Sequence, residues 1–287
     1  MGLDLSGLKF IKFASNKKSL GNVATIGRQK LLFNKKELNS LINENSDFIE
    51  GDYCENFLKK AFNVKAVDSF DNSDFEGATH IIDMNLPLQK KFQYYDTIID
   101  FGSLEHIFNV AQSLANVSNL CKQNGQILHY LPANNNCGHG FWQFSPEVFF
   151  SLYSEKNGYK NTEIFVINVH NNSNWWKVHK QKQGERIELN SNVPLYLAVR
   201  TEKATEKTSQ IVQQSDYLEL WSKKNNSENK TINKSKFSIF IKYIKDQIKL
   251  FLRNNTITKK IYQNYEAVNL TNKNDYKRNK YLEKFDI

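Results

Sequence analysis

Three cysteines, four prolines and two methionines are spread over 287 residues, and each shortage closes off a class of protein. An odd set of cysteines (Cys54, Cys121, Cys137) without paired short spacing does not make a disulfide framework. It fits reduced thiols in a cytoplasmic protein. No pair has metal-ligand spacing, so no metal is expected. Nothing approaches the run of about 18 apolar residues that a membrane span requires. The start, Met1-Gly2-Leu3-Asp4, lacks the basic region and apolar core of a signal peptide. Gly2 followed by Ser6 formally fits a myristoylation pattern, but the match is too short to carry weight. No internal repeat is present. Excess charge is also missing from most of the chain: residues 1–200 hold 21 Lys+Arg against 20 Asp+Glu. Of the net charge of +9, residues 201–287 carry +8, with 18 basic against 10 acidic side chains. A neutral core domain argues against a nucleic-acid substrate gripped by that domain.

What is present is enough to fold. Hydrophobic residues make up 40% and aromatics 13%, which supports a packed core. The most informative stretch is 95–146. A short apolar strand at 97–101, introduced by Asp96, breaks at Gly102. From Asn109 to about Cys121, Val110, Leu114, Val117 and Leu120 recur at three- and four-residue steps, which predicts a helix with one buried face. Asn124-Gly125 stops it. A strand at 126–131 then enters Pro132 and a polar loop. Strand, helix, glycine turn and strand make a βαβ crossover and imply a parallel sheet. Ligands of such sheets lie beyond the carboxyl ends of the strands. Both ends here carry reactive side chains: Gly102-Ser103-Leu104-Glu105-His106, and the loop from Pro132 to His139-Gly140.

Further strands are expected at 22–26, 64–67 (ending in Asp68), 78–82 (ending in Asp83), 163–169 and 193–201, the last two as an antiparallel pair. Helices are expected at 35–42, 53–62 and from Ser145-Pro146 to about 154. Residues 8–13 read as an edge strand or short helix. The organisation is therefore a lead-in at 1–20, an α/β domain at 21–201, and a basic, mostly helical extension at 202–287 with a polar linker at 223–234. Within the extension, a helix is predicted at 211–221, and residues 236–253 form a basic amphipathic helix. It suits packing on the main domain or a second subunit, contact with a protein or an anionic membrane surface, or contact with nucleic acid. Residues 270–287 read as loosely held.

The stretch from Tyr95-Asp96 through Leu104-Glu105-His106, Asn124-Gly125, Pro132-Ala133-Asn134 and Phe144-Ser145-Pro146-Glu147 resembles the corresponding half of class I S-adenosylmethionine-dependent methyltransferases. The resemblance covers roughly residues 20–200. It implies a Rossmann-like, seven-stranded, mostly parallel sheet flanked by helices, S-adenosylmethionine as cofactor, and a small-molecule acceptor, a sugar or sugar-linked metabolite among the candidates. Gly27, Arg28, Asp68, Asp83, Gly102 and Ser103 would hold the cofactor. Asp68 would take the ribose hydroxyls, with Asp71 replacing it if the strand runs longer; either also suits a plain turn. His139, between two glycines and next to Phe141 and Trp142, would be the general base, with His106 in reserve. Glu105-His106 also suits helix capping. Asn134, Asn135 and Gln143 would orient the acceptor, and Trp175-Trp176 would roof the pocket or pack.

The chain departs from this pattern after the first strand. Family members carry several glycines there, where this one reads Ile26-Gly27-Arg28-Gln29-Lys30. Bulky residues hinder close approach of backbone to ligand. If Arg28 occupies the methionyl space, the fold serves as a non-catalytic binding or scaffold module docked through its basic tail. If it turns away, catalysis survives. A nicotinamide-dependent enzyme needs Gly-x-Gly-x-x-Gly at this point, which is absent.

Overall fold

Each apolar run expected as a strand enters one mixed sheet. The computed structural model describes residues 2–42, 48–89, 94–169, 175–181, 187, 189, 191–214 and 281–285, with 217, 218, 221, 244, 247 and 248. In chain order the elements are β1 (Gly2–Leu3), α1 (Leu5–Lys17), β2 (Asn22–Ile26), β3 (Lys30–Leu31), α2 (Lys35–Asn39), α3 (Cys54–Phe62), β4 (Ala66–Asp71), β5 (His80–Ile81), β6 (Tyr95–Phe101), α4 (Val110–Leu120), β7 (Cys121–Pro132), α5 (Pro146–Leu152), β8 (Tyr159–Asn168), β9 (Trp175–Val178), β10 (Leu195–Lys203) and β11 (Leu282–Phe285). The large sheet runs β11-β9-β8-β10-β7-β6-β2-β4-β5, and β1 pairs separately with β3.

The sheet has nine strands rather than the expected seven, and it is not mostly parallel. Neighbours from β5 through β4, β2 and β6 to β7 are parallel. From β7 through β10, β8 and β9 to β11 every pairing is antiparallel. The two additional strands have a physical origin. Trp175 and Trp176 point to opposite faces of β9 and enter the two different core clusters. They are packing residues and not a pocket roof. Such an edge invites a partner strand, and β11 from the far end of the chain supplies it, matching Leu282 to Val178 and Phe285 to Trp175.

Apolar side chains alternate between the two faces, as the two-residue period of a strand requires. Ile98, Ile127 and Leu131 join the cluster under α4 and α5, while Ile99, Leu128 and Tyr130 join the cluster under α1 and α3. In α4, Leu114, Val117 and Leu120 are buried, each worth roughly 1.5–3 kcal/mol of transfer free energy. Residues 8–13 belong to α1, whose Leu8, Phe10, Ile11 and Ala14 seal the second cluster. Asp4 caps this helix by accepting the Gly7 N–H at 2.7 Å.

Between β2 and α3 the chain makes an excursion and returns to where it left. Lys30 bridges to Tyr53, and the Cys54 N–H donates to the Gln29 carbonyl at 2.8 Å. Helix α3 therefore starts against the turn that follows β2, as if the intervening residues were absent.

The amphipathic segment 236–253 lies outside the described residues apart from Ile244, Gln247 and Ile248, which are helical. The linker at 223–234 lies wholly outside them. Of the helix predicted at 211–221, residues 211–214 are not helical, while Tyr217, Leu218 and Trp221 are. Among the described residues, no helix is long and apolar enough to cross a membrane.

Candidate functional site

The chain steps from β2 outward to β4 in one direction and from β6 to β7 in the other. A crevice must open between the carboxyl ends of β2 and β6, where the direction reverses. A cleft of about 210 Å³ lies there, lined by Gly27, Asp71, Asp83, Asn85, Ser103 and His106 with apolar neighbours including Ile26, Phe70 and Met84.

The carboxylate at the end of the second strand is Asp71, because β4 extends to that residue. The expected end at Asp68 is too early: Ser69 and Phe70 are both buried and carry the strand onward. Asp68 sits mid-strand, accepts the Tyr95 hydroxyl at 2.8 Å, lies 3.8 Å from His80 Nε2, and does not line the cleft. Asp83 lines the cleft and also shapes its own turn, its Oδ1 accepting the Asn85 backbone and side-chain N–H groups, both at 2.8 Å.

The turn after β2 keeps its bulk out of the crevice. Gly27 has φ 71°, a conformation that glycine adopts without strain, and its N–H donates to the Phe70 carbonyl at 2.7 Å. Arg28 does not line the cleft. Its Nε pairs with Glu55 Oε1 at 2.7 Å, its Nη1 donates to the Glu76 carbonyl at 2.5 Å, and its guanidinium lies 3.8 Å over the Tyr53 ring. The Gln29 side chain folds back to donate to the Ile26 carbonyl at 3.0 Å. Ser103 also donates to that carbonyl, tying the exits of β2 and β6 together.

A second cavity, of about 250 Å³, opens on the other side of the β6 exit and is lined by Asp4, Gly102, His106, Tyr130, His139 and Tyr196 among others. Gly102 faces this cavity and Ser103 the first one, while His106 lines both. His139 reaches the same place from the loop after β7, with its ring centroid 5.2 Å from that of His106. Between and beneath them lies Glu105, whose Oε1 is 3.5 Å from His139 Nε2 and 4.0 Å from His106 Nε2.

The two segments are locked together. Phe141 and Trp142 N–H groups donate to the Glu105 carbonyl at 2.7 and 3.3 Å. Gly140 has φ 90°, and a Cβ there would stand 2.7 Å from that same oxygen. Gly138, on the other side of His139, has open space around it.

Glu105 is 0% exposed, and neither of its carboxyl oxygens has a hydrogen-bond partner among the described residues. Burial first and the nearby Asp100 second push its pKa to about 8. Burial and the proximity of His139 lower that of His106, which favours its neutral imidazole. Asp4 is raised by burial against the hydrogen bond from Gly7.

The remaining expected residues work within the loop. Asn134 donates to the Leu189 carbonyl at 3.0 Å, and Asn135 donates to the carbonyls of Ser191 and Val193. Gln143 accepts the Asn136 N–H at 2.9 Å. These bonds stitch 134–143 to the segment before β10 and so hold His139 in place. Sequence reasoning paired His106 with His139 by role but missed Glu105 as their common partner. The Leu104-Glu105-His106 triplet was the available signal, since a helix-capping glutamate is ordinarily exposed. Asp4, Tyr130 and Tyr196 had no sequence signal, because only packing brings them to the cavity.

No family model matches the chain, and no curated protein matches it. Among solved structures it is similar to the N-methyltransferase NodS from Bradyrhizobium japonicum WM9 in complex with S-adenosyl-l-homocysteine, with 11% identity, 69% of this chain and 85% of that chain covered, and a TM-score of 0.40. It is also similar to the YcgJ protein of Bacillus subtilis, with 12% identity, 70% and 98% covered, and a TM-score of 0.38. The strand order and the crevice described above define a Rossmann-like α/β fold.

Proposed function

We propose that the chain is an S-adenosylmethionine-dependent methyltransferase that methylates a small polar acceptor at oxygen, with sugar-type hydroxyl compounds the first to try. The observation that carries this reading is the pair of clefts meeting at His106, one at the strand switch point and one beside it. The first suits a nucleoside cofactor: Asp71 for the ribose hydroxyls, Asp83 for the adenine amino group, and Gly27 for close approach of the methionyl end. Arg28, held by Glu55 and Tyr53, leaves that approach open. The second suits the acceptor.

Methyl transfer asks for alignment and for removal of one proton. The acceptor O–H gives up its proton at the Glu105–His106–His139 cluster. When bound, S-adenosylmethionine would supply an activated methyl group to the acceptor oxygen's lone pair, the electrons of its C–S bond staying with sulfur. The products are the methyl ether and S-adenosylhomocysteine. The free thiols of Cys54, Cys121 and Cys137 suit a cytoplasmic enzyme, and residues 236–253 suit docking to a protein or an anionic membrane.

One observation favours the rival, a non-catalytic module of the same fold: at about 210 Å³ the first cleft is below the roughly 300–1,000 Å³ of common ligand pockets. Calorimetric titration with S-adenosylmethionine and S-adenosylhomocysteine decides between them. Micromolar binding, weakened at least tenfold by Asp71→Ala (about 1.4 kcal/mol) but not by Asp68→Ala, supports the enzyme. No heat from either ligand with folded protein supports the module.

A further inference from the structure

We propose that Glu105, His106 and His139 bind one divalent transition-metal ion of the zinc class, its open coordination position turned to the acceptor cavity. One donor atom from each residue lies within 4.8 Å of the others. Ligands about 2.0–2.2 Å from a shared zinc ion stand roughly 3–3.6 Å apart. The 3.5 Å between Glu105 and His139 already meets this, and the 4.0 Å to His106 closes with a small turn of a half-exposed ring.

The second observation is the carboxylate itself. A buried polar group is ordinarily hydrogen-bonded, and a buried charge is ordinarily paired or bound to metal. Glu105 is 0% exposed, has no hydrogen-bond partner among the described residues, and is aimed at two imidazoles. Two histidines and one carboxylate are also the donor set of catalytic zinc sites that keep a position free for water or substrate. The glycine-flanked loop adds preorganisation, because the residues after His139 are pinned to the Glu105 carbonyl.

Binding of the ion does not depend on the methyl-transfer reading; its role does. A metal-bound hydroxyl loses its proton far more readily than a free one. The acceptor's proton would then pass to water, since an imidazole lone pair bound to metal accepts no proton.

The test uses the full-length protein without a polyhistidine tag, stripped with chelator, then titrated with Zn²⁺ by calorimetry and with Co²⁺ by visible absorption. The expected result is one ion per chain at micromolar Kd or tighter, with cobalt d–d bands. Glu105→Gln and His139→Ala should each weaken binding at least tenfold. His139→Ala changes an exposed loop residue, so the fold, checked by circular dichroism, should survive. Two controls should bind as wild type: His179→Ala, whose imidazole pairs with Glu283 at 2.8 Å, and Cys137→Ser, which removes the exposed thiol near His139. No binding by folded wild type, less than tenfold weakening in either site variant, or loss of binding in Cys137→Ser overturns the proposal. Titrating S-adenosylmethionine into metal-free protein separates the two readings: cofactor without metal rejects the ion alone, and metal without cofactor rejects the methyltransferase alone.

Discussion

Asp100 and Glu105 follow one another closely at the end of β6, are both 0% exposed, and both face an imidazole, yet they are treated in opposite ways. Asp100 is saturated. Its Oδ2 is 2.7 Å from His129 Nδ1, its Oδ1 accepts the Leu104 N–H at 3.3 Å, and His129 Nε2 is 2.6 Å from the Tyr153 hydroxyl. The triad looks like a catalytic relay, but it is sealed between the sheet and α5 and no substrate can reach it. Glu105 is the reverse: unsatisfied and beside two half-exposed histidines. A buried carboxylate with its bonds made serves packing; one with its bonds unmade calls for a ligand. Residue types alone do not separate the two cases.

The largest effect that would sharpen this comparison is on the saturated side. His129→Ala leaves the Asp100 carboxylate buried without its partner and should cost about 3–5 kcal/mol of folding free energy, read from the urea midpoint. A cost under about 1 kcal/mol would mean that the triad is not structural. Next comes the loop that presents His139. Gly140→Ala forces a Cβ onto the Glu105 carbonyl at φ 90° and should cost about 1–3 kcal/mol, whereas Gly138→Ala should be near neutral. Equal effects would mean that the loop is not pinned as described.

On the unsatisfied side, Glu105→Gln removes no hydrogen bond, so folding free energy should change by less than about 1 kcal/mol. A large loss of stability in the metal-free protein would show that Glu105 is itself a packing group. The smallest effect concerns Glu202, a saturated carboxylate near the surface. Burial alone would raise its pKa, but hydrogen bonds from Asn161, Lys18 and Arg200 outweigh burial and hold it at about 2. With a depressed folded-state pKa, its contribution is present above the ordinary value of 4.5 and is lost as pH falls toward about 2. Solvent screening keeps it to about 1 kcal/mol. Glu202→Gln should flatten that part of the stability curve, and an unchanged acid limb would refute the assignment.

Much of the architecture is legible in the sequence. The β6–α4–β7 crossover follows from the spacing of Val110, Leu114, Val117 and Leu120 and from the break at Gly102, and β6 and α4 emerged within two residues of the expected bounds, whereas β7 begins at Cys121, so Asn124-Gly125 lies inside the strand instead of stopping the helix. His106 and His139 were legible as candidates because each follows a strand end. Asp71 was harder, since the run Asp68 to Asp74 reads as turn until Phe70 is seen in the core. Strand β11 was hidden, because four residues in a charged tail have no period strong enough to announce a strand.

By itself, the sequence determined the order of the central strands and helices and the chemistry carried at strand ends. Apolar periodicity and glycine, proline and asparagine punctuation act over a few residues, so they are readable locally. Only the tertiary structure decided that Arg28 turns onto Tyr53 and Glu55, that Asp71 rather than Asp68 reaches the crevice, and that Glu105 lies orphaned beneath two histidines from separate loops. Those outcomes depend on burial and on distances between residues far apart in the chain, and packing alone sets both.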